Sequence, residues 1–261
     1  MRFLLLVLLL LLSACRSEDL FTDDLARAKQ ACSMRDWPLA ERVLERYLRE
    51  EADSEKRWEA WNLLLEAING ATQEPRASLE CLEVMLVEYE NDDPKMARIL
   101  SLIGSSNQSL RHYDRAARAW SAYTELGDLL PQDRVAGFRK LAAAQASQRH
   151  FAAAEETLQQ CLGLPLADHD KIWCMVDLAE TNSARQQWTD VADLCQQILD
   201  SGPDDEVFGL ASYLRGDALE QMGKPREALA QFEQARDKYP NPAVMDNRIE
   251  YLQKQLKAGS K

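Results

Sequence analysis

The chain has 261 residues, 46% of them apolar and 28% charged, a balance that excludes a disordered or linker-dominated protein. Lys and Arg number 31 against 43 Asp and Glu, and the net charge of −12 excludes the basic footprint of a nucleic-acid binder. Three histidines leave little material for His-based metal or acid–base chemistry, and no cofactor is expected.

In chain order, Met1-Arg2 precede an uninterrupted apolar run from Phe3 to Leu12, which ends in Ser13-Ala14-Cys15. One cation, a short apolar stretch and small residues are the layout of a signal peptide. The run is about half of the ~20 residues that a membrane-spanning helix needs. Leu12-Ser13-Ala14-Cys15 resembles the bacterial lipobox. The resemblance implies a signal peptide over 1–14, acylation of Cys15, and a short tether, 15–21, that keeps the folded part beside a membrane. In lipobox proteins an Asp after the Cys retains the chain in the inner membrane. Here Arg16 follows, so the resemblance implies a lipid anchor in the outer membrane, facing the periplasm.

Beyond the tether the chain repeats itself. Asp36-Trp37-Pro38-Leu39-Ala40 is followed by Leu44 and Tyr47, and Glu74-Pro75-Arg76-Ala77-Ser78 by Leu82 and Met85. His112-Tyr113-Asp114-Arg115-Ala116 leads to Trp120 and Tyr123, and His150-Phe151-Ala152-Ala153-Ala154 to Leu158 and Cys161. Gln187-Trp188-Thr189-Asp190-Val191 leads to Cys195 and Ile198. Trp37, Pro75, Tyr113, Phe151, Trp188 and Pro225 open these segments at separations of 38, 38, 38, 37 and 37 residues. A small residue with large apolar ones four and seven positions on is the stripe of an amphipathic helix. Each such helix follows another, so the repeating unit is a helix pair. Asn241-Pro242 reads as an N-cap with Pro at the first helical position. It opens a capping helix over 242–257.

The best-formed unit, Gly216, Leu219, Gly223, Ala228, Phe232, Ala235 and Pro240, resembles the tetratricopeptide repeat. The resemblance implies an all-α, right-handed superhelical solenoid of six helix pairs plus the cap, occupying 22–257. It also implies a concave groove lined by the first helices, binding protein or peptide segments without catalysis. By register the groove candidates are Arg98 and Ser105, then Arg139 and Ala143, then Trp173 and Glu180, then Tyr213, Asp217 and Glu220. A cationic first half and an acidic, aromatic second half are expected of such a groove. Chaperone-binding members clamp a C-terminal carboxylate with Lys or Arg and Asn; Ser105 and Ala143 stand here in place of the amides.

An enzyme finds little support. The sequence has no Gly-rich phosphate loop, no Gly-x-Ser-x-Gly and no His-Glu-x-x-His. His112 and His150 occupy matching places before a second helix and read as polar turn residues. Asp168-His169-Asp170 reads as an acidic helix start suited to the helix dipole, rather than a metal site. Cys32, Cys81, Cys161, Cys174 and Cys195 read mostly as small core residues. Stacked pairs bring the end of one second helix near the start of the next first helix, so a bridge between Cys161 and Cys174 is an open pairing. Trp37, Trp120 and Trp188 are expected in the core, and Trp58 and Trp61 either there or facing a partner. The whole layout resembles the tetratricopeptide lipoproteins of the outer-membrane protein assembly machinery. The expected function is therefore a non-catalytic scaffold for envelope proteins. The rivals are a pilus or secretion pilotin, an adaptor for cell-wall enzymes, and a hydrolase or metal protein hidden in the scaffold.

Overall fold

The structure, a computed structural model, describes residues 24–72 and 74–258. The signal segment 1–14, Cys15 and the tether 15–21 lie outside the described residues. Among the described residues every regular element is an α-helix, and the architecture is an all-α helical repeat. Two compact units divide the chain between Leu110 and Arg111. The first contains α1 (24–33), α2 (Trp37–Glu50), α3 (Ser54–Thr72), α4 (Pro75–Glu88) and α5 (Asp93–Ser109). The second contains α6 (Tyr113–Glu125), α7 (Pro131–Ser147), α8 (Phe151–Leu162) and α9 (Asp168–Ala184). It continues with α10 (Trp188–Asp200), α11 (Asp205–Gln221), α12 (Pro225–Ala235) and α13 (Pro242–Ala258). Consecutive helices pack together from α2 to α5 and from α6 to α13, and α9 also touches both α7 and α11.

The second helices are α2, α4, α6, α8, α10 and α12, and each buries the same stripe. Ala40, Leu44 and Tyr47 on α2 correspond to Ser78, Leu82 and Met85 on α4, all buried. Ala154, Leu158 and Cys161 do the same on α8, and Ala228, Phe232 and Ala235 on α12. The 3.6-residue helical period puts these positions on one side. The small residue lets the two helices of a pair approach closely. On the facing helix glycine serves the same end. A Cβ at Gly70 would lie 2.4 Å from the Trp37 ring, and one at Gly216 would lie 2.6 Å from Phe232. Trp120 is buried, whereas Trp37 and Trp188 are half-buried.

Turns within pairs recur in one form. Arg35, Arg111, Arg149 and Gln186 adopt left-handed conformations with φ of 58–62°, and Gly223 takes φ 75° at the corresponding place. The next amide reaches back to the first helix: His150 N donates to Gln145 O, Gln187 N to Asn182 O, and Lys224 N to Leu219 O, each at 2.9 Å. That is the Schellman closure, which satisfies carbonyls left over at a helix end. His112 and His150 thus hold turn positions, and neither side chain makes a capping hydrogen bond. Turns between pairs are tied differently, by cations from the next first helix. Arg57 donates to Leu48 O and Glu51 O, Arg134 to Thr124 O and Leu126 O, and Lys171 to Leu162 O. Cations suit these carbonyls because they sit at the negative ends of helix dipoles.

Cys161 at the end of α8 is disulfide-bonded to Cys174 on α9, with the Cα atoms 6.4 Å apart. Cys32, Cys81 and Cys195 are buried free thiols.

Candidate functional site

Between α7 and α9 lies a cleft of about 290 Å³ with a floor of Ala142, Ala143, Ala146 and Ala184. Small side chains there leave a furrow between two helix backbones. Arg139 of α7 crosses one rim. Its guanidinium donates to both oxygens of Asp177, at 2.5 and 3.1 Å, and lies 4.9 Å from the centre of the Trp173 ring. Bidentate pairing and stacking together fix the planar group. Glu180 stands one turn beyond Asp177. Crowding in the cleft, and then the Asp177 charge, push its carboxyl upward, while Arg139 draws it down. The side chain is exposed, so water moderates that push. Lys140 on α7 is exposed beside the same cleft and has no ion-pair partner among the described residues.

Asp217 and Glu220, on α11, are met by Arg248 of the capping helix α13, which contacts the Asp217 carboxylate and lies 3.0 Å from Glu220. Tyr213 packs against Tyr239 at 4.9 Å and Phe232 at 5.9 Å, within the core beneath α13. The structure therefore brings Arg139, Trp173 and Glu180 together and gathers Asp217 and Glu220 around Arg248, with Tyr213 in the packing. The expected separation into a cationic and an acidic half is corrected within this unit. Arg139 is neutralised by Asp177, and Asp217 and Glu220 by Arg248. Among the described residues lining the α7–α9 cleft, the charges left without an ion-pair partner are Lys140 and Glu180.

Arg98 belongs to the other unit. It is exposed on α5 at a cleft of about 440 Å³ shared with Glu59, Asn62, Glu66 and Asn69 of α3. Its guanidinium lies 6.0 Å from the Trp58 ring, and it has no ion-pair partner among the described residues. Trp58 meets Tyr89 edge-on at 5.1 Å, and Trp61 donates its ring N–H to Glu88 at 3.0 Å. Both tryptophans thus belong to a cluster joining α3, α4 and α5. His169 pairs with the adjacent Asp170, and among the described residues no three His, Cys, Asp or Glu side chains gather as a metal site. Repeat register singles out neither Asp177 nor Lys140, and it marks Arg248 only as part of the polar face of the capping helix. Asp177 lies 38 residues beyond Arg139, about one repeat on, and that spacing was its available signal.

No family model matches the chain, and no curated protein matches it. Solved structures do. RapI in its apo form is similar over 92% of this chain and 72% of its own, at TM-score 0.64 and 10% identity. A tetratricopeptide repeat protein from Parabacteroides merdae is similar over 89% of this chain and 98% of its own, at TM-score 0.50 and 11% identity. The fold is the tetratricopeptide-repeat fold. Pseudomonas aeruginosa PilF is likewise similar in fold, over 91% of this chain and 98% of its own, at TM-score 0.52 and 14% identity.

Proposed function

We propose that the protein is a non-catalytic scaffold, held by lipid on Cys15 at the periplasmic face of the outer membrane, that binds segments of envelope proteins during their assembly. The observation that carries the binding role is the α7–α9 cleft. It has an alanine floor that admits a peptide backbone, a rim fixed by the Arg139–Asp177–Trp173 arrangement, and unpaired Lys140 and Glu180 to orient a segment by charge. Thr181, the hydroxyl at this cleft, is occupied in donating to Asp177 O at 2.9 Å, an arrangement that suits structure rather than nucleophilic chemistry. The compartment is supported by the Cys161–Cys174 disulfide, a bond that persists in oxidising spaces such as the periplasm. The anchor is supported by the lipobox-like Leu12-Ser13-Ala14-Cys15.

A photo-crosslinking amino acid at Ala143, on the cleft floor, and another at Gln197, on the outer face of α10, test this reading in intact cells. The Ala143 probe should give discrete adducts in the outer-membrane fraction that weaken with Glu180→Lys, and the Gln197 probe should give none. Equal adduct patterns from the two positions would remove the cleft from the reading. Cys15→Ser should release the protein from that fraction, and continued pelleting after a salt wash would remove the lipid anchor.

A further inference from the structure

Each second helix carries the same register, so every pair serves as a control for the others. The positions nine and twelve residues after the opening residue hold Arg46 and Arg49 on α2, and Ala122 and Glu125 on α6. On α10 they hold Gln197 and Asp200, and on α12 they fall at Gln234 and just past the helix at Asp237. On α8 and just beyond it they fall on Gln160 and Gly163. None of these pairs is aliphatic beyond alanine. On α4 the same two positions are Val84, 52% exposed, and Val87, 73% exposed. The helix pair evidently packs without valine there, so the fold does not explain the two side chains. Water contact with branched aliphatics is unfavourable and is relieved only by covering them.

The surroundings of the valines say what would cover them. Val84 and Val87 lie one turn apart, and Glu80 and Glu83 share their face at helical spacing. Neither Glu80 nor Glu83 has an ion-pair partner among the described residues, whereas neighbouring Glu88 is held by Arg57 at 2.6 Å. Two apolar side chains beside two open carboxylates form a short amphipathic ridge with a negative flank. A second copy of the same face would set Glu80 and Glu83 against their own counterparts, a like-charge contact that disfavours symmetric self-association. An anionic lipid surface meets the same repulsion.

We propose that this outer face of α4 is a docking surface for an amphipathic helix of another protein that carries Lys or Arg beside its aliphatic residues. It is separate from the α7–α9 cleft and does not depend on it. The aliphatic side chains cover Val84 and Val87, and the cations pair with Glu80 and Glu83, which sets orientation and turns repulsive when either side's charge is reversed.

The test uses the full chain and a fluorescent synthetic helix with leucines spaced i, i+3, i+7 and lysines alongside. V84Q/V87D installs the residues that α10 carries at these positions, and E80K/E83K reverses the flank. Each variant should bind the peptide at least about tenfold more weakly than the unaltered chain, with the melting temperature unchanged. Replacing the peptide lysines with glutamates should weaken binding comparably. Undiminished binding to V84Q/V87D would place the peptide elsewhere and overturn the proposal. A lowered melting temperature for that variant would make the valines part of the fold and overturn it as well. Dimerisation of the unaltered chain that V84Q/V87D abolishes would assign the face to a second copy instead. Association with zwitterionic vesicles that V84Q/V87D abolishes would assign it to lipid.

Discussion

Where one helix pair meets the next, the two units fill the same place with different chemistry. In the unit of α1–α5 the corresponding positions on α4 and α5 are Met85 and Ile99, both buried and apolar. In the unit of α6–α13, on α8 and α9, they are Cys161 and Cys174, joined covalently. Elsewhere in that unit the Tyr123 ring lies where a Cβ on Gly137 would come within 2.6 Å, and the buried Ile198 and Ala211 hold the equivalent positions on α10 and α11. Large against small, two large side chains, or two bonded sulfurs each close the junction. The repeat fixes where a junction falls, while the means of joining is free. The first unit adds charge at its junction: Arg57 pairs with Glu88 at 2.6 Å, and Lys95 pairs with Glu55 at 2.6 Å and lies 5.1 Å from the Tyr89 ring.

Removing the covalent junction should have the largest effect. The bridge closes a loop of sequence separation 13, and loops near that length contribute about 3 kcal/mol by restricting the unfolded chain. Cys161→Ala with Cys174→Ala should therefore lower the stability of α6–α13 by about 3 kcal/mol while leaving α1–α5 unchanged. Segment-resolved hydrogen exchange in denaturant checks this, and equal losses in both units would break the distinction.

A smaller change concerns the turns that both units share. Gly223 takes φ 75° in open space, so Gly223→Ala adds backbone strain without a clash and should cost about 1 kcal/mol. Arg149→Gly relieves the strain at φ 62° but loosens the unfolded chain, and should raise stability by no more than about 1 kcal/mol. Denaturant midpoints distinguish the opposite signs.

The smallest expected effect separates the units by pH. Arg57 holds the Glu88 carboxyl below its usual range, so its contribution is present above the unfolded carboxylate pKa and is lost as acid titrates it. Crowding in the α7–α9 cleft, moderated by water, pushes the Glu180 carboxyl up, so its contribution is present below the unfolded pKa and is lost as pH rises through the shifted value. Stability measured across the acid range should lose part of its upward slope in Glu88→Gln. In Glu180→Gln that slope should steepen. The same change of slope in both variants would refute the sign difference.

The all-α helix-pair repeat was legible in the sequence because a buried apolar stripe at i, i+4 and i+7, opened by a small residue in five of the six second helices, recurs at a near-constant period. The disulfide stood as one open pairing, since spacing brings two positions near but does not determine their bond. The site was read only in part. Register places Arg139, Asp217 and Glu220 on first helices, but periodicity does not reveal the side chain each one faces. Asp177 sits on the neighbouring first helix and Arg248 on the capping helix, and both neutralise charges that had looked available. The valines of α4 are hidden in the sequence for a related reason: Leu82 and Met85 beside them satisfy the buried stripe, and a stripe does not mark an exposed apolar neighbour as unusual.

The free thiols have a consequence of their own. Burial pushes Cys81 and Cys195 up to about 12 and raises Cys32 as well, which disfavours the thiolate that oxidants and alkylating reagents attack. All three are buried, so opening of the surrounding helix pair is the expected route by which a reagent reaches each one. Two lie in the first unit and one in the second. The chain thus carries native stopwatches in both halves, and the rate at which a small maleimide modifies each cysteine would measure how often that part of the molecule breathes, without any engineered label.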